Sequence, residues 1–203
     1  MSTQIISWIA VLILFSATLS FLITQDWRWN LAALALLYLG VFWLTQIHWT
    51  FSMSAVKLVT GWMVATILGI TRSALDPELD PALQHLSWSQ GRFFRILTAF
   101  LALFLAISTT PTITNLLPGI GAVEVAGSLI LLIMGLLLLG LTTEPLHVII
   151  GLLTFIAGFE ILYAAVEDAT LVAALLAIIN LGLALVGAYL ITANAEENQE
   201  KNE

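Results

Sequence analysis

The sequence predicts an all-α protein: a polytopic bundle of about seven transmembrane helices, N-terminus outside and C-terminus inside. Three observations carry this. First, 60% of the 203 residues are hydrophobic and 9% are charged. A soluble domain carries roughly 25% charged residues, so this chain cannot cover a water-facing surface. Second, the apolar residues come in unbroken runs of about 20, the length a helix needs to cross ~30 Å of hydrocarbon. Strands of a membrane barrel would alternate apolar and polar residues over ~10-residue segments instead. Third, the basic residues between the runs all fall on one side, which is the positive-inside pattern.

The runs, in order, are Gln4–Thr24, Trp29–Ile47, Phe51–Thr71, Phe93–Ser108, Ala122–Leu141, Leu146–Val166 and Leu171–Thr192. No basic segment precedes the first, and it is longer than the apolar core of a cleaved signal, so it reads as a retained span. With the N-terminus outside, the inner connectors hold Arg28, then Arg72, Arg92 and Arg95, and the tail holds Lys201. The outer connectors hold no base. Trp27, Trp29 and Trp88 fall near the inner interface, Trp8 and Trp49 near the outer one, as an aromatic belt.

The long inner connector, residues 73–92, contains Asp76-Pro77 and Asp80-Pro81. Asp before Pro suits an N-cap followed by the first helical residue. Leu79, Leu83 and Leu86 recur at helical spacing, with Trp88 beyond, which predicts a short interfacial helix. This connector divides the chain. Residues 1–72 form a three-span bundle, 93–121 the fourth span and an outer loop from Thr109 to Gly121, and 122–192 a three-helix unit. Residues 193–203 are predicted to be a disordered acidic tail, which with the loops supplies most of the −7 formal charge. There is no cysteine, which excludes disulfides and thiolate metal sites. No basic footprint for nucleic acid is present.

Two charges, Lys57 and Glu160, lie deep inside spans, where a charge costs at least ~2.5–3.5 kcal/mol on insertion scales and marks a functional-site hypothesis. Lys57 lies roughly 9 Å from the outer end of its span at 1.5 Å per residue. It can snorkel to the interface or be a buried ammonium that pairs with a carboxylate. Gly61, Ala65 and Gly69 follow at four-residue spacing, a small-residue stripe that favours a neighbouring helix over lipid. Glu160 is similarly deep and reaches less far, so it is either a proton-relay carboxyl or a protonated hydrogen-bond partner of another helix. Asn180 sits mid-span among Ala173, Ala177, Ala184 and Ala188, as interhelical glue or a pathway residue. His147, one turn into its span, can titrate near neutral pH or serve packing. Glu124 and Glu144-Pro145 suit first helical turns. His48 and His85 are interfacial, and Glu167-Asp168 a solvated outer turn. No metal-ligand spacing, phosphate-cradling loop or nucleophile motif occurs. No catalytic, metal-binding or cofactor-binding residue is therefore expected.

Ile156-Ala157-Gly158-Phe159-Glu160-Ile161-Leu162-Tyr163-Ala164-Ala165 resembles the second helix of the small K-type membrane subunit of respiratory complex I. Leu175–Leu185 resembles its third helix, with Asn180 where that helix usually carries a second acid. In length and span number the chain is similar to hydrogenase-4 component E, which extends the K-type unit at its N-terminus. Ala55-Val56-Lys57-Leu58-Val59 is similar to an intramembrane lysine segment of that extension. The resemblance implies a non-catalytic subunit of an oxidoreductase or antiporter complex in a bacterial plasma membrane. Its partners would be other membrane subunits and the bilayer, not nucleic acid. It implies that Glu160 is the protonatable relay, Lys57 its paired cation, and Asn180 and His147 polar supports. A stand-alone transporter or channel, or an assembly subunit whose charges fix packing, remain alternatives.

Overall fold

In hydrocarbon no water can take up backbone N–H and C=O groups, so each apolar run must hydrogen-bond within itself. The computed structural model of the protein describes residues 2–75, 91–117, 119–167 and 169–200. It contains α1 (Ser2–Ile23), α2 (Trp27–Thr45), α3 (Phe51–Ser73), α4 (Arg92–Leu116), α5 (Ala122–Leu141), α6 (Pro145–Val166) and α7 (Thr170–Glu200). All seven are long and apolar enough to cross a membrane. The protein is an integral, multi-pass membrane protein. The expected interfacial helix of residues 73–92 falls largely on residues outside those described, as do His85, Trp88, Asp168 and Lys201.

Two predicted boundaries are corrected. The fourth helix does not stop at Ser108 but runs to Leu116 through Pro111. Proline removes one N–H and crowds the preceding turn. Around it, Thr109, Thr110 and Thr114 each hydrogen-bond a carbonyl four residues back, on Leu105, Ala106 and Thr110, and the helix continues past the Ile107 carbonyl that the proline leaves without its usual donor. The acidic tail is not disordered up to Glu200: α7 continues through it. Ile191 and Ala195 are buried there, extending the packed face by another turn at four-residue spacing.

The helices form two rows of three. α1–α2–α3 packs in sequence order, as does α5–α6–α7. The rows face each other, with α1 against α5, α2 against α6 and α3 against α7, and α4 closes one end against α1 and α5. Successive helices run in opposite directions, so the bundle has an amino face, where α1 begins, and a carboxyl face, where α7 ends. The ends are tied chemically. Asp26 caps α2 by accepting from the Arg28 N–H at 2.9 Å. Arg95 is not in a connector but buried in the first turn of α4, where Nη1 donates to the Leu22 carbonyl at 2.9 Å. That bond satisfies a carbonyl left open at the end of α1.

The tightest seam is α5 on α6. A Cβ at Gly135 would lie 2.7 Å from the Phe155 backbone nitrogen, and one at Gly158 2.8 Å from that of Leu132. Backbone cannot swing aside as a side-chain tip can, so these helices meet only because no Cβ is there. The Ser128 hydroxyl crosses the seam to the Gly158 carbonyl at 2.7 Å. Gly182, on α7, has open space at the same position. Gly158→Ala is expected to destabilise the purified protein by ~1–3 kcal/mol, the usual cost of overpacking, and Gly182→Ala to leave it unchanged. Thermal unfolding in detergent checks this, and equal midpoints for the two variants would refute the seam.

Candidate functional site

Where the two rows meet, α2, α3, α6 and α7 surround one polar cluster. Lys57 from α3 donates to Glu160 Oε1 from α6 at 2.7 Å, and both side chains are 0% exposed. The snorkelling reading of Lys57 is thereby overturned. The ammonium points across the bundle, and one turn later Gly61 lets α2 come close, since a Cβ at position 61 would clash with the Tyr38 ring. Asn180 Nδ2 from α7 donates to the same Oε1 at 3.0 Å. Tyr38 from α2, fully buried, lies within electrostatic reach of Glu160.

One oxygen of Glu160 therefore takes two donors while the other takes none. Glu160 Oε2, Asn180 Oδ1, Tyr38 Oη and Ser54 Oγ are all buried without a hydrogen-bond partner among the described residues. Ser54 lies one turn before Lys57 and shares the buried face of α3. Such orphan groups each cost about 1–3 kcal/mol. Their gathering around one ion pair marks the site as polar beyond what its packing requires. Towards the amino face the site is closed by Trp49, 4% exposed, at the turn between α2 and α3. Its indole Nε1 donates to the Glu167 carbonyl at 3.0 Å, and its ring meets Tyr163 edge-on at 6.4 Å. Trp49 is thus a packing residue, whereas Trp8 and Trp29 are exposed, as a lipid-interface belt requires.

The structure brings Lys57, Glu160 and Asn180 together and leaves His147 apart. His147 sits thirteen residues before Glu160 on α6, about 20 Å away at 1.5 Å per residue. It belongs to a second buried cluster near the carboxyl face. Asn30 Nδ2 of α2 is shared between the Thr24 carbonyl, at 3.1 Å, and His147 Nε2, at 3.0 Å. The carbonyl can only accept, which fixes the amide orientation and makes Nε2 an acceptor. The proton then sits on Nδ1, which faces Glu144 Oε2. Burial pushes the Glu144 carboxyl up, but the His147 hydrogen bond and the Arg72 charge outweigh it and hold it below its ordinary value. Between the clusters lie fully buried apolar side chains: Leu34 and Leu37 of α2, Val64 and Leu68 of α3, Ile150 and Leu153 of α6.

Sequence reasoning missed Tyr38, Ser54 and Asn30. Each is a polar residue in an apolar run, a real but weak signal, since neutral hydroxyls and amides are tolerated in membrane helices. Glu124 is in the first turn of α5 and Glu144 is the N-cap of α6, as expected. Among the described residues, no three His, Cys, Asp or Glu side chains are placed to hold a metal ion. Comparison with protein-family models, with curated proteins and with solved structures returns no match.

Two predictions follow from the geometry. Lys57→Met strands the Glu160 carboxylate and should cost ~3–5 kcal/mol, whereas Lys57→Met with Glu160→Leu removes both charges and should recover most of it. Chemical or thermal unfolding of the purified variants reads this directly, and a double variant no more stable than the single would refute it. For Glu144 the sign is that of a depressed carboxyl. Its contribution is present above the unfolded value of ~4.3 and is lost as pH falls through the lower folded value. The stability gap between the wild type and Glu144→Gln should therefore stand at neutral pH and close on the acid side. A gap that widened with falling pH would contradict the assignment.

Proposed function

We propose that the chain is a non-catalytic membrane subunit of a complex I-like or membrane-bound hydrogenase-like assembly, or of a related cation/proton antiporter. In it the Lys57–Glu160 pair assists proton translocation coupled to redox chemistry elsewhere. The observation that carries the reading is the fully buried 2.7 Å ion pair, made between helices of opposite rows. A carboxylate at that depth is retained at high desolvation cost. A proton arriving at Glu160 cancels its charge and releases the Lys57 ammonium, so one protonation changes the electrostatics of four helices. The unpartnered oxygen Oε2 is where a proton could be taken up without first breaking the Lys57 bond. Asn180 steadies the other oxygen. In this reading His147, with Asn30 and Glu144, is a separate polar station nearer the carboxyl face.

The resemblance of the Glu160 and Lys57 segments to the K-type subunit and to hydrogenase-4 component E supports the same reading. We place the amino face outside and the carboxyl face inside, because Arg28, Arg72, Arg92 and Arg95 all lie at carboxyl-face ends of their helices. The membrane would be a bacterial plasma membrane, and the partners other membrane subunits. One observation favours a second reading, an assembly subunit whose charges only fix packing: a mostly apolar layer of side chains separates the two clusters.

Glu160→Gln distinguishes the two. In the intact complex in proteoliposomes, the variant is expected to abolish proton pumping while subunit composition stays normal. Under the packing reading, complex yield falls and pumping per assembled complex is kept. Unchanged pumping would remove Glu160 from the mechanism. Mild-detergent purification of the wild type should bring other membrane chains with it. A chain that purifies alone and transports in liposomes would be a stand-alone transporter.

A further inference from the structure

A second acid is buried away from both clusters, at the amino face. Glu124, in the first turn of α5, has a side chain 8% exposed. Its Oε1 lies 3.7 Å from His48 Nε2, beyond hydrogen-bond reach. Its Oε2 is buried and has no hydrogen-bond partner among the described residues, although it folds back against Gly121 at the N-cap. A capping carboxylate three residues into a helix would accept the N-cap N–H, and this one does not. Its helix start gives a favourable field for negative charge but leaves one oxygen without a donor.

That carboxylate lines a cavity of about 690 Å³ between the beginnings of α1 and α5 and the end of α2. The size suits a small organic ligand. Trp8, Trp43 and Ile47 form apolar walls, Gln46 and Gly121 the polar rim, and Glu124 the charged point. Trp8 and Ile47 are about half exposed, so the cavity opens on the lipid-facing side of the bundle. An anionic group short of a donor, at one end of an aromatic and aliphatic cleft, has the complement of a cation on a hydrocarbon chain. Tryptophan faces attract ammonium groups. The oxygen left for the cavity to reach is Oε1, whose nearest partner is His48 Nε2 at 3.7 Å, so the fitting head is a primary ammonium, which can donate to it, and not a quaternary one, which cannot.

We infer that the cavity at the amino face is a binding site for a primary alkylammonium group, anchored on Glu124 and walled by Trp8 and Trp43. The head can belong to a free long-chain amine or to an aminophospholipid, which share this chemistry. The site is independent of the Lys57–Glu160 cluster, and its fate does not bear on the proposed function.

The test uses the purified full chain in a neutral maltoside detergent, with a bromine-labelled dodecylammonium as a quencher of tryptophan fluorescence. Saturable quenching is expected, weakened at least ten-fold in Glu124→Gln. The trimethylammonium counterpart and the matching bromo-alcohol should both bind more weakly. Trp8→Ala sits on an exposed wall and keeps the acid, so it guards against a folding defect in the first variant. It should weaken binding about three-fold, the scale of one cation–π contact. Competition by phosphatidylethanolamine but not phosphatidylcholine in nanodiscs would identify the source as lipid. Saturable binding without such competition would identify a free amine. Non-saturable quenching, equal quenching by the alcohol, or equal affinity in Glu124→Gln would overturn the inference.

Discussion

The structure depends on one diagonal contact. Lys57 on α3 and Glu160 on α6 are not on helices that pack face to face; α2 and α7 stand on either side of them. A 2.7 Å bond between diagonal helices fixes the relation of the two rows in a way that adjacent-pair packing does not. It needs Gly61 for the approach of the Tyr38 ring, Asn180 for the second donor and Trp49 for closure towards the amino face. Without the pair, four helices would converge on buried charge. With it, they converge on a bond with direction. Apolar packing between membrane helices lacks that direction, since lipid tails are as apolar as leucine.

The second constraint is separation. α2 and α6 each carry a polar group near both ends of their buried faces: Asn30 and Tyr38 on α2, His147 and Glu160 on α6. Leucine, isoleucine and valine side chains fill most of the space between, and the buried Thr154 hydroxyl there turns back onto the Ile150 carbonyl of its own helix. Any proton moving from one cluster to the other must cross that layer or leave the bundle sideways towards a neighbour. For a subunit in a larger assembly the sideways exit is the natural one. For a protein working alone the dry layer is an obstacle. The apolar layer therefore bears on the choice between subunit and transporter as strongly as the ion pair does.

Much of this was legible because membrane sequences are read by length and charge. All seven helices begin within about two residues of the predicted runs, inside the usual boundary error, and α5 coincides with its run. The failures have causes. The polar stretch from Thr109 to Gly121 reads as a loop, the rule for water, whereas the helix runs on through Pro111 to Leu116. The tail was read by its charge, while Ile191 and Ala195 were the residues that mattered. Lys57 and Glu160 were legible as equally deep, and Asn180 as mid-span. That Asn180 bonds Glu160, and that His147 does not join them, depends on which helices are neighbours. Hydropathy records depth and helical face, not the order of helices around the bundle.

Energetics bears on whether so buried a pair is a staple or a switch. Two unit charges about 4 Å apart attract by ~4 kcal/mol at an effective dielectric of 20. Removing two ions from water costs several kcal/mol each, even after relaxation. The two desolvation costs together match or exceed the attraction, and the Asn180 hydrogen bond offsets part of the difference. A staple selected for stability alone would be better made of leucine and methionine, which carry no such penalty. A pair close to balance is a poor source of stability and a sensitive responder, because one added proton removes the attraction and one desolvated charge together. The buried orphan oxygens of Glu160, Asn180, Tyr38 and Ser54 fit the same logic. They are costly in any single arrangement, and they supply the spare donors and acceptors that a second arrangement of the pair would use.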